Sequence, residues 1–405
     1  VVNGLIKQGK VMTEARSPVP GKKTARTLSY GHVLLLKRAD YIFRRFISSW
    51  PGKLVRNLFA LDNAGIDNPR SILVIRPGGI GDAVILVPVL KKLRSGFPDA
   101  RVAVLAEKRN VSVFRPLCGG IIDELFCYDR PRDFLSLLTK SFDLVIDTEQ
   151  WHILSAFTAF IVGRRGIRIG FATNERSQFF THPVSYDNLG FEGDNFFNLL
   201  KPLGIEAVTP HPYAGFYPEF AGYSVASSGV DAYPKQIGTK RVAIFPGASI
   251  KERQWSPVNF RKVADWLRSI NVEVVVVGGR EDMESSKIIS SGLDGVKNLA
   301  GKTSLEETAR ILASCDLLIS SDSGIMHLAV AVGTPVVAFF GPGIASKWAP
   351  RDGISVVINK NLPCSPCTSF GYTAACPIDA RCIKEITVDE VIEATKSLLF
   401  RELHT

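Results

Sequence analysis

The chain has 405 residues, too many for one typical core and enough for two domains. Hydrophobic residues make up 46% and charged residues 22%, an ordinary balance for a soluble globular protein. No apolar run reaches the length of a membrane span, and the opening VVNGLIKQGK lacks the apolar core and cleavage site of a secretory signal, so a cytoplasmic protein is expected.

The net charge of +10 is unevenly placed. Residues 1–70 hold 13 lysines and arginines against 4 acids, a net of +9, which leaves +1 for residues 71–405. In this arm, Lys37, Arg38, Arg44, Arg45, Lys53 and Arg56 are interleaved with Tyr41, Phe43, Phe46, Trp50 and Phe59. That composition suits a helix lying on an anionic membrane surface, the preferred partner for residues 1–70. A helix packed on the body of the protein is the alternative; nucleic acid competes for the same composition but is not expected as a partner.

Beyond the arm, strands and helices alternate. An apolar strand at 72–75 leads through the loop Arg76-Pro77-Gly78-Gly79-Ile80-Gly81-Asp82 into a helix at 83–94. Further strands are expected at 102–105 and 144–146, and the alternation runs to about Gly204. A connection rich in Pro, Gly and Ser follows at 208–240. The second domain opens on a strand at 242–245 and continues through a helix at 257–269, a strand at 272–277 and a helix at 305–314. A strand at 317–319 then feeds Asp322-Ser323-Gly324, a helix at 326–332 and a strand at 336–340. A helix at 388–399 ends the chain. Such alternation implies an α/β protein with parallel sheets covered by helices, and ligands sit beyond the C-terminal ends of such strands. The expected division is an arm at 1–70, a first Rossmann-like domain at 71–225 and a second at 236–405.

Two loops carry the chemistry. Asp322-Ser323-Gly324 starts a helix, where free N–H groups and the positive end of the dipole favour a phosphate. The same turn brings an acid, a hydroxyl and, one turn along, His327, so it can hold a diphosphate and a polar sugar together. The competing reading is an ordinary strand–helix corner with Asp322 as the cap. Upstream, Gly78, Gly79 and Gly81 form a loop that is neither a dinucleotide fingerprint nor a P-loop. It allows another molecule to approach the backbone closely and carries Asp82 at a helix start; here too a capping aspartate is the alternative. One such loop in each half points to two nucleotide-type domains facing a cleft.

RPGGIGDAVILVPVL, FDLVIDTEQWHILSAFTAFIVGRRGIRIGF, IFPGASIKERQWSPVNF and SDSGIMHLAVAVGTPVVAFFGP follow one another in this order. Together they resemble glycosyltransferase family 9, the lipopolysaccharide heptosyltransferases, over roughly residues 71–395. The resemblance implies a GT-B fold, two Rossmann-like domains with parallel sheets facing a central cleft. It also implies inverting, metal-independent transfer of heptose from ADP-heptose to a lipid-linked core glycan at the cytoplasmic face of the inner membrane, with no cofactor. Asp82 then occupies the position of the general base. Asp322 would hold the sugar hydroxyls, while Ser323 and Gly324 meet the diphosphate. Ser249 and the cations Lys251 and Arg253 follow a strand and can face phosphate as well. Where the family usually has a lysine two residues before a tryptophan, this chain has Arg253 before Trp255, which leaves the contact open between Lys251 and Arg253. By the same resemblance Glu281 is a candidate for the ribose hydroxyls, and Thr303 matches a position whose backbone meets adenine.

Cys364, Cys367, Cys376 and Cys382 are spaced C-x2-C-x8-C-x5-C, which in isolation suits a zinc knuckle. Without a histidine in the stretch, and in a cytoplasmic protein with an odd count of seven cysteines, reduced packing cysteines are the default and no metal is expected. Two other functions share this architecture: a transferase of the same family using another nucleotide sugar, and a nucleotide-sugar epimerase, which acts on the donor alone. A catalytically silent nucleotide binder is the third, since fold does not fix function.

Overall fold

The structure, a computed structural model, describes residues 68–206, 214–219, 238–369 and 372–400. All but the last three residues of the basic arm, and most of the connection between the domains, lie outside these residues.

The first sheet contains β1 (Ser71–Arg76), β2 (Arg101–Ala106), β3 (Glu124–Cys127), β4 (Leu144–Asp147), β5 (Ile167–Phe171) and β6 (His182–Val184), all parallel, in the order β3-β2-β1-β4-β5-β6. The second contains β7 (Arg241–Phe245), β8 (Glu273–Val276), β9 (Val296–Asn298), β10 (Leu317–Ser321), β11 (Val336–Phe340) and β12 (Val356–Asn359), in the order β12-β11-β10-β7-β8-β9. Both sheets therefore have the 3-2-1-4-5-6 order of the Rossmann fold. Strands such as IleLeuValIle and ValAlaIlePhe are apolar on both faces because helices cover both sides of the sheet. In each sheet the strand order reverses once, between β1 and β4 and between β7 and β10, and ligands bind in the crevice such a reversal opens.

One apolar core runs through both halves. It joins Val84, Val87 and Leu90 of the helix Ile80–Gly96 to Met326, Ala329 and Val330 of the helix Gly324–Ala331. A short stretch of the connection is fixed between the two halves. Gly215 and Tyr217 donate their N–H groups to Val330 and Ala331 at 3.0 and 2.9 Å, while Lys91 of the first half reaches the Phe216 carbonyl at 2.7 Å. Tyr217 is fully buried and its hydroxyl donates to the Val113 carbonyl.

One boundary differs from expectation in a way that matters. The first helix begins at Ile80, not residue 83, so Asp82 stands inside its first turn. The closing helix Val388–Leu399 stays with the second sheet, where Val391, Ala394 and Leu399 pack beside Trp255 and Phe339. Its start is fixed by a reciprocal capping box between Thr387 and Glu390, a device usually worth about 1 kcal/mol.

Candidate active site

The two glycine loops meet. A β-carbon on Gly81 would lie 2.6 Å from His327 Cδ2 and 3.5 Å from Gly324 Cα; one on Gly324 would lie 3.0 Å from the Gly81 nitrogen and 2.8 Å from Ile80 Cβ. The openness expected at Gly81 is thus filled by the other half of the protein, and the two helix starts touch. Gly78 has a different reason for being glycine: its φ is +116°, and a β-carbon there would sit 2.8 Å from the Arg76 guanidinium.

Asp82 does not cap its helix. Gly79 holds the N-cap position, and no side chain accepts a capping hydrogen bond there. Instead the Asp82 carboxylate turns back over the loop, with Oδ2 3.4 Å from where a Gly79 β-carbon would be, and remains 20% exposed. Its nearest cation is Arg76 at the end of β1, Nη2 to Oδ2 3.9 Å. Arg76 is itself buried: Nε donates to the Pro77 carbonyl at 2.6 Å, Nη1 to the Thr148 carbonyl at 3.0 Å, and Nη2 lies 3.5 Å from Glu149. Burial alone would lower the Arg76 pKa, yet Asp82, Glu149, Glu192 and Asp147 together raise it. Glu149, just after β4, is held down to about 2: burial opposes this, but His152, Arg76, Arg176 and the Trp151 N–H outweigh it.

Across the seam, Asp322 follows β10 and is 5% exposed. Arg253 Nη1 lies 3.1 Å from its Oδ2, an ion-pair distance without hydrogen-bond alignment, so Oδ2 and Arg253 Nε are left without hydrogen-bond partners. Burial raises the Asp322 pKa, Arg253 pulls it down, and Asp82 adds to the rise, which puts the two aspartates within electrostatic reach of each other. Ser323, not Asp322, is the N-cap: its Oγ accepts from Met326 N at 3.2 Å and lies 3.0 Å from Ser320 Oγ. Both capping-aspartate alternatives therefore fail, and each carboxylate is left over for another partner. His327 is buried in the seam, its imidazole pushed down to about 3 by burial, so it is neutral at physiological pH.

The two candidate cations differ in burial. Arg253 is half-buried and faces Asp322, with Nη2 3.3 Å from Thr368 Oγ1, whereas Lys251 is exposed at the rim. Trp255 holds this turn in place, fully buried, its Nε1 donating to the Ile386 carbonyl at 2.9 Å. Ser249 is exposed in the loop after β7. Glu281 is exposed, while its neighbour Asp282 is buried and accepts Gly279 N at 2.9 Å. A β-carbon on Gly247 would lie 2.4 Å from Asp282 Oδ1, so Asp282 backs the loop after β7. Thr303 is half-buried, with Oγ1 2.9 Å from Thr308 Oγ1.

A second cross-seam cluster had no signature in the sequence. The ammonium of Lys347, 3% exposed, reaches the Tyr186 hydroxyl and lies 3.5 Å from Glu192 Oε2, while Tyr186 donates to the same oxygen at 2.8 Å. Beside it Ser346 donates to the Leu189 carbonyl at 3.0 Å and Arg351 meets Asp194 at 3.2 Å. Glu192 is fully buried, and its pKa is raised by burial against the pull of Lys347. Among the described residues no group of three or more His, Cys, Asp or Glu side chains is arranged to hold a metal ion. Cys364, Cys367, Cys376 and Cys382 are free thiols, and burial pushes the thiols of Cys367 and Cys382 up.

The sequence profile described as Glycosyltransferase family 9 (heptosyltransferase) matches residues 132–376. The chain belongs to this family. It is a glycosyltransferase with a GT-B fold. Over 361 residues it is 25% identical to lipopolysaccharide heptosyltransferase 2 of Salmonella typhimurium, covering 82% of this chain and 99% of that one. A lipooligosaccharide heptosyltransferase 2 of Campylobacter jejuni is 31% identical over 169 residues, 40% of this chain and 52% of that protein. The solved structure of E. coli ADP-heptose lps heptosyltransferase II superposes with a TM-score of 0.64 at 22% identity, covering 82% of this chain and 99% of that chain.

Proposed function

We propose that the chain is an inverting, metal-independent transferase that moves heptose from ADP-heptose to a lipopolysaccharide core-type acceptor. The observation that carries this reading is a row of groups along one sheet edge. β10, β7, β8 and β9 are neighbours in that order, and Asp322, Ser249, Glu281 and Thr303 follow their respective C-terminal ends. Neighbouring strands lie about 4.8 Å apart, so the row extends for about 14 Å, the length of a nucleoside diphosphate with a sugar. Read along the row, the sugar lies at Asp322, the diphosphate at the loop after β7 and the start of the helix behind Ser323, the ribose after β8 and the adenine at Thr303. Asp82 faces the sugar end from the other half of the protein.

The chemistry follows from that arrangement. An acceptor hydroxyl is a poor nucleophile, and Asp82 takes its proton as the new bond forms. The bond from the anomeric carbon to the diphosphate breaks as ADP leaves. Its growing charge is met by Arg253, by Lys251 and by the N–H groups at the helix start, which supply the stabilisation a divalent ion would otherwise bring. One displacement inverts the anomeric centre. The comparisons support the donor and acceptor classes only through what the relatives are named for. Incubating the protein with ADP-heptose, with and without heptose-deficient lipopolysaccharide, tests the reading. Release of ADP and labelling of the glycan should require both substrates. Consumption of the donor without acceptor would instead indicate an epimerase, and a shift in thermal stability with a different nucleotide sugar alone would change the donor.

No helix among the described residues is long and apolar enough to cross a membrane. We assign contact with the membrane surface to the basic arm, from its charge of +9 and its aromatic residues. Binding to anionic vesicles should be strong at low salt and fall steeply as salt rises, since each surface cation contributes on the order of 1 kcal/mol and is screened. Co-sedimentation of the full chain measures this, and no binding at low salt would reject the contact.

A further inference from the structure

We infer that Arg76 is the positioning residue of the reaction: a buried guanidinium that sets its charge beside the Asp82 carboxylate, among neighbouring carboxylates, without occupying its proton-accepting oxygens. The inference rests on Asp82 being the base. Its physical basis is the distance and the way Arg76 spends its donors. A guanidinium in a bidentate pair with Asp82 would tie up both carboxylate oxygens and blunt them as bases. Here Nε and Nη1 are committed to the carbonyls of Pro77 and Thr148, and Nη2 stands 3.9 Å from Asp82, too far for a hydrogen bond and close enough for charge. The Asp82 lone pairs remain available to an incoming hydroxyl.

The need for such a cation is visible in what else surrounds Asp82. Glu149 just after β4, Tyr186 from the segment before the helix Glu192–Asn198, Glu192 at the start of that helix, and Asp322 from the other half all face the same region. Among the packed elements, the helix Gly324–Ala331 brings His327, which is neutral, and the helix Ala345–Trp348 brings Lys347, whose ammonium is committed to Tyr186 and Glu192. Arg253 is committed to Asp322. Arg76 is therefore the cation that offsets Asp82 directly. It is locked there: Phe196 lies under its guanidinium at 5.5 Å, and any side chain at Gly78 would collide with it. In the sequence the signal was a lone arginine ending an apolar strand, directly before the glycine loop.

The test is the pH dependence of turnover with ADP-heptose and heptose-deficient lipopolysaccharide, in wild type, Arg76→Met, Arg76→Lys, Glu149→Gln and Asp82→Asn. Losing the cation should move the acid limb of kcat to higher pH by on the order of one unit or more, the usual effect of an opposite charge at this distance. Activity lost on the acid side of the profile should then return as pH rises, with the donor KM little changed. Arg76→Lys should keep the limb near that of wild type. Glu149→Gln removes an anion from the same cluster and should move the limb the opposite way. A purely structural Arg76 would lower activity evenly across pH. A folded Arg76→Met with an unmoved limb, beside an inactive Asp82→Asn, would overturn the inference alone. Should Arg76→Met fail to fold, Glu149→Gln decides: a limb at lower pH supports the inference and an unmoved one overturns it. Near-normal turnover in Asp82→Asn would overturn the base reading, and this inference with it.

Discussion

Replacing Asp82 by Asn should lower turnover by about 10²-fold or more while ADP binding stays close to that of wild type. The substitution is nearly isosteric, so the contact between the two helix starts at Gly81 and Gly324 is kept. It also removes no cap, because Gly79 and not Asp82 holds that position. What disappears is the ability to accept a proton, together with the negative charge beside Arg76. Since the diphosphate is assigned to the other half of the protein, calorimetry with ADP should see little. Initial rates with both substrates should see most of the loss in kcat. An Asn variant with near-normal turnover would mean that another group takes the proton, and Glu192, fully buried with one oxygen lacking a hydrogen-bond partner, would be the next to test.

Much of this was legible from the chain because the physics is local. The strands at 72–75 and 242–245 are short apolar runs closed by turn residues, and such runs form buried parallel strands wherever helices cover both faces. The helix Pro257–Ser269 announces itself through Pro at its first position. The site loops were readable for the same reason: glycines and small polar residues directly after an apolar run mark the end of a strand in this architecture. What escaped depends on contacts distant in sequence. Nothing local says that the space at Gly81 is taken by His327, more than two hundred residues away, or that Lys347 crosses to Tyr186 and Glu192. At 281–282 the difficulty was one residue of register. Two adjacent acids begin the turn after β8, and only the fold reveals that Asp282 points inward to the Gly279 N–H while Glu281 is exposed. The early start of the first helix was hidden by glycines, which have poor helix propensity; Gly81 stands there because the close approach of His327 leaves no room for a side chain.

Arg253 and Asp322 should respond asymmetrically to substitution. They are ion-paired at 3.1 Å, with side chains only 16% and 7% exposed. Arg253→Ala leaves a buried carboxylate without its cation, a loss on the order of 3–5 kcal/mol when the remaining group cannot relax. Asp322 already has its pKa raised by burial, and without Arg253 it would tend to take up a proton, so part of the penalty is relieved at low pH. The variant should therefore melt at lower temperature, bind ADP more weakly because a cation on the diphosphate is gone, and use the sugar donor poorly. Asp322→Ala is different. It frees Arg253 to turn fully to the diphosphate, so ADP binding should be retained or tightened, while binding of ADP-heptose and turnover fall because the sugar hydroxyls lose their acceptor. In the double variant no carboxylate is left unpaired, and it should recover part of the stability lost in Arg253→Ala, a coupling that thermal melts of the four proteins measure. Calorimetry with ADP and with ADP-heptose completes the comparison. Equal losses for both ligands in Asp322→Ala would take Asp322 away from the sugar and leave it only the task of orienting Arg253.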